Sequence, residues 1–403
     1  MSLFQEDDAL TVIVHRLCSD GEWPDAEVGE RSVTDSGKSS TEQITRSAPG
    51  DFLSGMPDEV AGLIRSAGLC EFATVSKGDV PIDTPVGCFW GPTGTINVTT
   101  GLAYPTKAER ARNNPKVGIL LEGFRDEPVA LVAGHAAVRD ADINANIMRY
   151  LPEISSYFDT FAAGYSWDSA RQAVHYWARI IIEVTPLTVW WWRSADMLDR
   201  TPERWDAPPD TTLPKSDPAP QGEPSSAPRW PGEPWQIQAE EVVAQALPAH
   251  LTTMGEAGFP LSIRVWSCSQ DDRGFLLDVP RGFPAPLSGA ATLCFAGRST
   301  FVGDVISTDG ATLFRVERAL PALPFTRDLS QLWAPSEETR GKLTARLEQE
   351  LARRNQPMPV LPLTLPEPTP GCLMREARNR RMTQEMQAVG PHEAAAPYIV
   401  GQS

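Results

Sequence analysis

A hydroxyl-rich and basic turn is the part of this sequence best suited to chemistry. The segment from Thr99 to Arg110 reads Thr-Thr-Gly-Leu-Ala-Tyr-Pro-Thr-Lys-Ala-Glu-Arg and lies between two runs typical of β-strands. Thr106 and Glu109 have the spacing of a capping box, which predicts that a helix begins here. Hydroxyls, backbone N–H groups at a helix N-terminus and the cations of Lys107 and Arg110 together suit a phosphate. A capped helix without a ligand is the alternative.

Short strand-like runs surround this turn and predict a small antiparallel barrel. The predicted strands cover residues 70–76, 82–90, 95–100, 116–122, 129–138, 179–184 and 187–192. Helices are predicted over residues 58–68, directly after the basic turn, after Asp140 and over residues 167–177. Six or seven short strands with inserted helices are typical of a closed or partly closed barrel.

A similar order of elements returns in the second half of the chain. We predict a helix over residues 240–251 and strands over 261–267, 275–279, 290–295, 301–307 and 311–316. This order indicates a degenerate internal duplication. The second copy has the segment 280–289 where the first has its basic turn, and that segment contains no lysine and no capped helix. A phosphate is therefore expected in the first copy alone.

These patterns divide the chain into five segments. They are a polar N-terminal arm (1–50), a first barrel (51–198), a Pro-rich linker (199–236), a second barrel (237–335) and a helical, Pro-rich tail (336–403). The linker is too poor in aliphatic residues to build a core. Trp205, Trp230 and Trp235 leave open the alternative that it is an ordered arm wrapped over a neighbour.

Composition limits the partners and the compartment. The net charge of −16 and pI near 4.8 disfavour nucleic acid and anionic membranes, so any anion site must be local. The six cysteines lack zinc-ligand spacing and lie mostly in apolar runs, which predicts buried free thiols and no metal site. The N-terminus lacks a signal-peptide pattern, and no apolar run approaches the roughly 20 residues of a membrane span. We therefore expect a cytoplasmic protein.

Several of these segments together resemble the pyridoxamine 5′-phosphate oxidase-like flavin-binding split barrels. Residues 73–90 resemble that family's opening hairpin, and residues 96–101, Lys107 and residues 113–121 resemble its next strand, phosphate turn, helix and strand. Residues 129–140 and 179–190 resemble later strands. The resemblance covers residues 57–193 well and 237–325 faintly. It implies a mainly β fold with inserted helices, made of two split β-barrel domains in tandem.

The resemblance also implies a cofactor and its binding residues. Family members pair two barrels with FMN, or sometimes the deazaflavin F420, between them, which predicts an intramolecular pseudo-dimer or a homodimer with one surviving site per pair. By the same resemblance, the cofactor-binding residues are Val86, Gly87, Cys88 and Phe89 along the ring, Thr99, Thr100, Thr106 and Lys107 at the phosphate, Arg110 one turn further on, and Trp190 against the ring. Core packing is an equal alternative for Trp190 and the two tryptophans that follow it.

The function implied by the resemblance is an FMN-dependent oxidoreductase acting on a small or medium organic substrate. The alternatives are an F420-dependent reductase, a haem-binding split barrel with His135 as axial ligand, and a non-catalytic flavin-binding or scaffold protein. His135, His175 and Cys88 fit structural roles better than catalytic ones, and no catalytic residue is assigned. Oxidation of pyridoxamine phosphate itself is not expected, because the C-terminal arginines have the spacing of a helix surface; they are Arg375, Arg378, Arg380 and Arg381.

Overall fold

The structure is a computed structural model that describes residues 53, 55–91, 94–124, 126–158, 162, 164–225, 234–308, 311–320, 333 and 335–394. Within these residues fourteen strands form two sheets of seven. The predicted N-terminal arm, residues 1–50, lies outside the described residues. The predicted fold class, mainly β with two tandem split barrels, is confirmed.

The first sheet closes on itself. Its strands are β1 (Leu69–Val75), β2 (Pro81–Trp90), β3 (Ile96–Gly101), β4 (Lys116–Glu122), β5 (Val129–Arg139), β6 (Arg179–Trp192) and β7 (Glu203–Asp206). The order is β3-β2-β1-β4-β5-β6-β7, and β3 also pairs with β6. Six strands therefore form a closed barrel, and β7 extends it from outside. The two strands predicted over residues 179–192 are the single strand β6.

The second sheet curls without a closing pair. Its strands are β8 (Ala249–Met254), β9 (Pro260–Arg264), β10 (Ser267–Asp271), β11 (Gly274–Asp278), β12 (Ser288–Phe295), β13 (Ser299–Thr308) and β14 (Ala311–Ala319). The order is β10-β11-β14-β13-β12-β8-β9. Two residues, Val265 and Trp266, join β9 to β10, although these strands lie at opposite ends of the order. The sheet must therefore curl until its two edges meet.

The two barrels have the same pattern of strand pairing. If β9 and β10 together take the place of β2, each pairing of the first barrel has a counterpart in the second. The counterparts are β8–β9, β8–β12, β10–β11, β11–β14, β12–β13 and β13–β14. The predicted internal duplication is confirmed, with the second strand of the second copy broken at Val265 and Trp266.

Helices make the two copies different. The first copy carries α1 (Asp58–Ser66), α2 (Thr106–Asn113), α3 (Ile143–Tyr150), α4 (Trp167–Ala170) and α5 (Val174–Trp177), and α6 (Trp235–Ala244) precedes the second copy. The chain ends with α7 (Glu337–Arg353) and α8 (Pro370–Ala394). The prediction of a helix over residues 240–251 was wrong in its second half. Pro248 cannot continue a helix, and β8 begins immediately after it.

The described part of the predicted linker lies on the first barrel. Strand β7 pairs with β6. The carboxylate of Asp217 accepts hydrogen bonds of 2.9 Å from the backbone N–H groups of Asp140 and Ala141. Arg139 donates to the Lys215 carbonyl at 2.7 Å. Residues 199–225 therefore form an ordered arm that packs on the first barrel of the same chain.

The outer faces of the two barrels pack against each other along a seam, which we define as β1, β2 and β4 of the first barrel against β8, β9 and β12 of the second. Strand β4 approaches β9 closely at Gly118, where a Cβ atom would lie 1.9 Å from the Pro260 carbonyl oxygen. Leu120 and Leu131 of the first barrel belong to the apolar core of the second. The seam is therefore a continuous packed interface.

Charged groups are buried in this seam. His250 of β8 lies between two carboxylates: its Nε2 is 2.9 Å from Glu122 and its Nδ1 is 3.2 Å from Glu71. Arg264 donates to Glu122 at 2.9 Å. Burial alone would lower the pKa of His250, but the two carboxylates raise it to about 10. The same cations more than offset the burial of Glu122 and lower its pKa to about 2.

None of the helices among the described residues has both the length and the apolar character needed to cross a membrane.

The first prediction tests the packing of the seam. Gly118→Ala forces a methyl group against a backbone carbonyl that cannot rotate away, so we expect it to lower the free energy of unfolding by about 1–3 kcal/mol. Gly62→Ala is the matched control, because nothing lies within 4 Å of a Cβ at that position in α1. The control should be neutral or stabilising by up to about 1 kcal/mol. Urea denaturation measures both. Equal stability of the Gly118→Ala variant and the wild type would contradict this packing.

Candidate functional site

The turn between β3 and α2 begins its helix one residue earlier than the capping box requires. Pro105 is the N-cap residue of α2, and no side chain caps the helix. The predicted capping box was therefore wrong: Thr106 lies inside the first turn, where its hydroxyl cannot accept from the N–H groups that a cap serves. The Glu109 carboxylate lies instead 3.5 Å from Arg353, the last residue of α7, and 3.8 Å from Arg354, which follows it.

The two predicted cations are buried at the end of the barrel. Lys107 is 2% exposed and Arg110 is 6% exposed. Arg110 Nε donates to the Thr74 hydroxyl of β1 at 2.7 Å. Burial raises the pKa of the Cys70 thiol well above its usual value. The nearby Lys107 ammonium opposes this rise but does not cancel it. Helix α2 therefore directs both cations towards β1, Lys107 near Cys70 and Arg110 at Thr74.

The two predicted hydroxyls are also buried. The Oγ1 atoms of Thr99 and Thr100 have no hydrogen-bond partner among the described residues. Side chains alternate along a strand, so the hydroxyls lie on opposite faces of β3. Thr100 shares the inner face with Val98, whereas Thr99 shares the outer face with Asn97. The Thr100 hydroxyl is therefore the one that lies on the inner face of the barrel.

The predicted ring-binding segment lies next to this turn. Cys88 pairs with Val98 and Phe89 with Asn97. Pairing of β2 with β3 stops there, and Thr99 and Thr100 lie where the two strands separate. Val86 and Cys88 contribute to the core of the first barrel. The structure therefore brings the residues of 86–89 and 99–100 together at one end of the β2–β3 pair.

A helical insertion covers the outer side of this segment. A cavity of about 10 Å³, the space of a single water molecule, lies between the strand and the insertion. It is lined by Gly68, Gly87, Cys88, Phe89, Tyr150, Glu153, Ile154 and Tyr157. This cavity is too small for the three-ring system of a flavin.

The C-terminal helices hold this cover in place, and we call α7 and α8 together the C-terminal clamp. Arg375 of α8 is 1% exposed and forms an ion pair with Glu153. Arg378 donates to Glu127 at 2.6 Å, and Arg381 pairs with the same carboxylate. The predicted basic helix surface is confirmed for these arginines, and their partners are carboxylates of the first barrel.

The clamp also covers the predicted phosphate turn. Arg346 of α7 donates to the Ala103 carbonyl at 2.7 Å, and its guanidinium lies 5.0 Å from the centroid of the Tyr104 ring. Sequence reasoning missed this role of Arg346. Its spacing within a charged helix gave no sign that it reaches a turn more than 240 residues earlier in the chain.

Trp190 is not brought to the other predicted site residues. It pairs with Leu131 and Arg204, on the face that packs towards the second barrel. Thr100 pairs with Ile180, ten residues earlier along the same strand. Ten residues of strand span about 33 Å. Trp190 therefore packs at the opposite end of β6 from the phosphate turn, as the core-packing alternative predicts.

The two histidines weighed from the sequence occupy different environments. His135 pairs with Lys116 and Thr185 on the outer face of the barrel, and burial lowers its pKa. His175 lies in α5. Burial and the cations of Arg340 and Arg179 lower its pKa to about 4, so this imidazole is neutral near pH 7.

The phosphate end and the ring end of the predicted flavin site lead to different conclusions about FMN. Two buried hydroxyls of β3 without a partner among the described residues and two buried cations of α2 are donors of the kind that a phosphate requires, so the residue types at the phosphate end suit FMN. The ring end does not fit the cavity lined by residues 87–89, because the helical insertion leaves it the space of one water molecule. No redox step is therefore derived through a flavin.

Comparisons with known proteins give matches among solved structures alone. No family model and no curated protein matches this sequence. Solved structures that it resembles include a putative pyridoxamine 5′-phosphate oxidase from Listeria innocua, at 18% identity and a TM-score of 0.25 over 34% of this chain and 98% of that one. A related FMN-binding protein from Nostoc punctiforme has 13% identity and a TM-score of 0.24 over 33% and 80%. A haem storage protein from Vibrio cholerae has 10% identity and a TM-score of 0.24 over 32% and 87%.

The matched structures are of the split-barrel type that the sequence resembles. Identities below 25% bear on the fold alone, and at these TM-scores the argument for the two barrels rests on the strand pairings described above.

The second prediction concerns the clamp. Burial raises the pKa of Glu127, but hydrogen bonds from Arg378 and the Phe124 N–H lower it further, to a value below the ordinary 4.5. A lowered pKa stabilises the docked helix fully above pH 4.5 and loses that contribution as the pH falls below it. Hydrogen-exchange protection of α8 should therefore decrease on acidification. In Glu127→Gln it should be roughly two- to fivefold lower at pH 7 and depend less on pH.

Glu367→Gln is the control for this experiment, since Glu367 is exposed and precedes α8. Its exchange should follow that of the wild type at each pH. If Glu127→Gln also follows the wild type, the pairing of α8 with Glu127 does not hold the clamp.

Proposed function

We propose that the N-terminal barrel binds the phosphate of FMN and that the chain is an FMN-dependent oxidoreductase of the split-barrel type. The observation that carries this proposal is the asymmetry between two barrels of identical pairing. The first has α2 with buried Lys107 and Arg110 between its third and fourth strands. The second joins β11 to β12 through residues 279–287, without a helix.

The donor set favours a phosphate monoester over a neutral ligand. A fixed ammonium and a guanidinium in a poorly solvated place attract an anion far more strongly than they would in water. The hydroxyl of Thr100 adds a directional hydrogen bond to an oxygen atom. When bound, the flavin would supply the electron chemistry, and the residues of this chain would hold its phosphate.

The second barrel takes part in this proposal as an internal partner. The second barrel packs along the seam against strands β1 and β4 on the outer face of the first barrel. We infer that it stands where a second subunit stands in a homodimer of split barrels. A small organic molecule remains the proposed substrate.

A non-catalytic split barrel is the second candidate, and the covered ring segment favours it. The cavity beside Gly87 and Phe89 holds one water molecule, and ion pairs with Glu153 and Glu127 hold the clamp over this side. In that case the chain is a scaffold whose ancestral ligand site is filled by its own tail. The two candidates differ in whether the clamp opens for a flavin.

The absorbance spectrum of the purified chain decides first between the candidates. An FMN protein is yellow, and heat denaturation releases a compound whose mass identifies it as FMN or F420. Haem added to the same sample tests the haem alternative through its Soret band. A colourless protein that binds none of the three on titration contradicts the cofactor proposal.

The third prediction tests the phosphate donors. Loss of a charge-assisted hydrogen bond costs about 1.5–3 kcal/mol, so Lys107→Met should weaken FMN binding roughly 10- to 100-fold. Thr100→Val should weaken it by a smaller factor. Lys77→Met, on an exposed turn, is the matched control and should bind as the wild type does. Fluorescence titration of FMN measures all four proteins. Equal affinity of Lys107→Met and the wild type would place the phosphate elsewhere.

The fourth prediction separates the two candidates. Arg375→Ala removes the buried ion pair with Glu153 and should loosen the clamp. If the first candidate is correct, FMN binds this variant faster than the wild type in stopped-flow fluorescence. If the scaffold candidate is correct, FMN binds neither protein. Circular dichroism confirms that the variant is folded.

A further inference from the structure

Three buried side chains converge in the seam, and no step of the proposed function uses them. Glu71 of β1, Asp83 of β2 and Cys294 of β12 each offer one ligand atom, and these three atoms all lie within 4.8 Å of one another. Asp83 and Cys294 are fully buried, and Glu71 is 7% exposed. We call this group the seam triad.

The strand register explains why the triad forms. Ala73 pairs with Asp83, and Glu71 lies two residues before Ala73, so both carboxylates share the outer face of the first barrel. Cys294 pairs with His250 on the facing strands of the second barrel. Packing of the two outer faces thus places a thiol opposite two carboxylates.

The Asp83 carboxylate is the observation that points to a ligand. Neither of its oxygen atoms has a hydrogen-bond partner among the described residues, and the same is true of Glu71 Oε2. A buried carboxylate without a partner costs several kcal/mol, so such groups are normally paired, protonated or bound to a metal. Burial and the charge of Glu71 raise the pKa of Asp83, which makes a proton the alternative to a metal.

The charges around the triad also favour a cation. The carboxylates of Glu71, Asp83 and Glu122 face two cations in the seam. One is Arg264, and the other is His250, whose ring lies between the carboxylates of Glu71 and Glu122. With all three acids ionised and His250 positively charged, one negative charge is left without a partner. A divalent ion that also displaces the thiol proton of Cys294 would make the whole set neutral.

We propose that Glu71, Asp83 and Cys294 bind a divalent transition metal of the zinc class between the two barrels. Carboxylate oxygen and thiolate sulfur are both zinc ligands, and three protein ligands leave one coordination position open. The Nδ1 of His250 lies 3.2 Å from Glu71 Oε1, so a cation is already placed beside one of the ligating carboxylates. The sequence predicted no metal site, and this proposal replaces that expectation.

Cobalt is the probe for this site, because its absorption reports the ligands. The full chain is produced in minimal medium containing Co²⁺ and dialysed against metal-free buffer. We expect one equivalent of bound Co²⁺ and a thiolate-to-cobalt charge-transfer band. Cys294→Ser should lose that band, whereas Cys268→Ser, at a partly exposed thiol of β10, should keep it. Asp83→Asn should weaken Co²⁺ binding by more than about tenfold.

If a variant does not fold, the metal content of the wild-type protein still tests the proposal. Folded wild-type protein that carries no cobalt and no zinc after this procedure overturns the proposal. So does a charge-transfer band that persists in folded Cys294→Ser. If Asp83 carries a proton instead of binding a metal, Asp83→Asn is as stable as the wild type. Added metal then raises the melting temperature of neither protein. The result is independent of FMN, since neither readout involves a flavin.

Discussion

The buried charges between the two barrels are the constraint on which the rest of the structure depends. His250 lies between Glu71 and Glu122, and Arg264 completes the set. Replacing such groups by apolar residues of the same shape often costs nothing, but removing one partner typically costs about 3–5 kcal/mol. These buried charges therefore determine which faces of the two barrels pack together more than they strengthen the packing. With the faces fixed in this way, Gly118 can approach the backbone of β9.

Duplication within one chain explains why the two barrels differ. A homodimer repeats each site twice, because both subunits have the same sequence. In a tandem chain each copy changes independently. Here the second copy has no helix between β11 and β12, while the first keeps α2 and adds the insertion between β5 and β6. The C-terminal clamp packs on the first copy through Arg346 and Arg375. One barrel thus carries the candidate ligand site, and the other packs against it along the seam.

The sequence predicted the barrels well because strand pairing depends on local patterns. Alternating apolar residues and turn signals placed the strands of the first copy, and the repeated order revealed the second. Strand β8 was missed, since the residues around Pro248 carry both helical and strand character. The proposed phosphate donors all lie in one local segment and remain a prediction. The cover over residues 87–89 was not, because it depends on contacts such as Arg375 with Glu153, 222 residues apart.

The seam triad is a group of residues that spacing along the sequence cannot predict. Metal motifs are recognised when two ligands lie a few residues apart on one turn or helix, since the spacing then fixes their geometry. Glu71, Asp83 and Cys294 come from three strands of two domains, and their separation along the chain contains no such information. Only the pairing of β1 with β2, combined with the packing of β12 across the seam, brings them within 4.8 Å. The signal that remains in one sequence is indirect: a carboxylate at Asp83, within a strand whose neighbours are buried, needs a partner that the strand itself cannot provide.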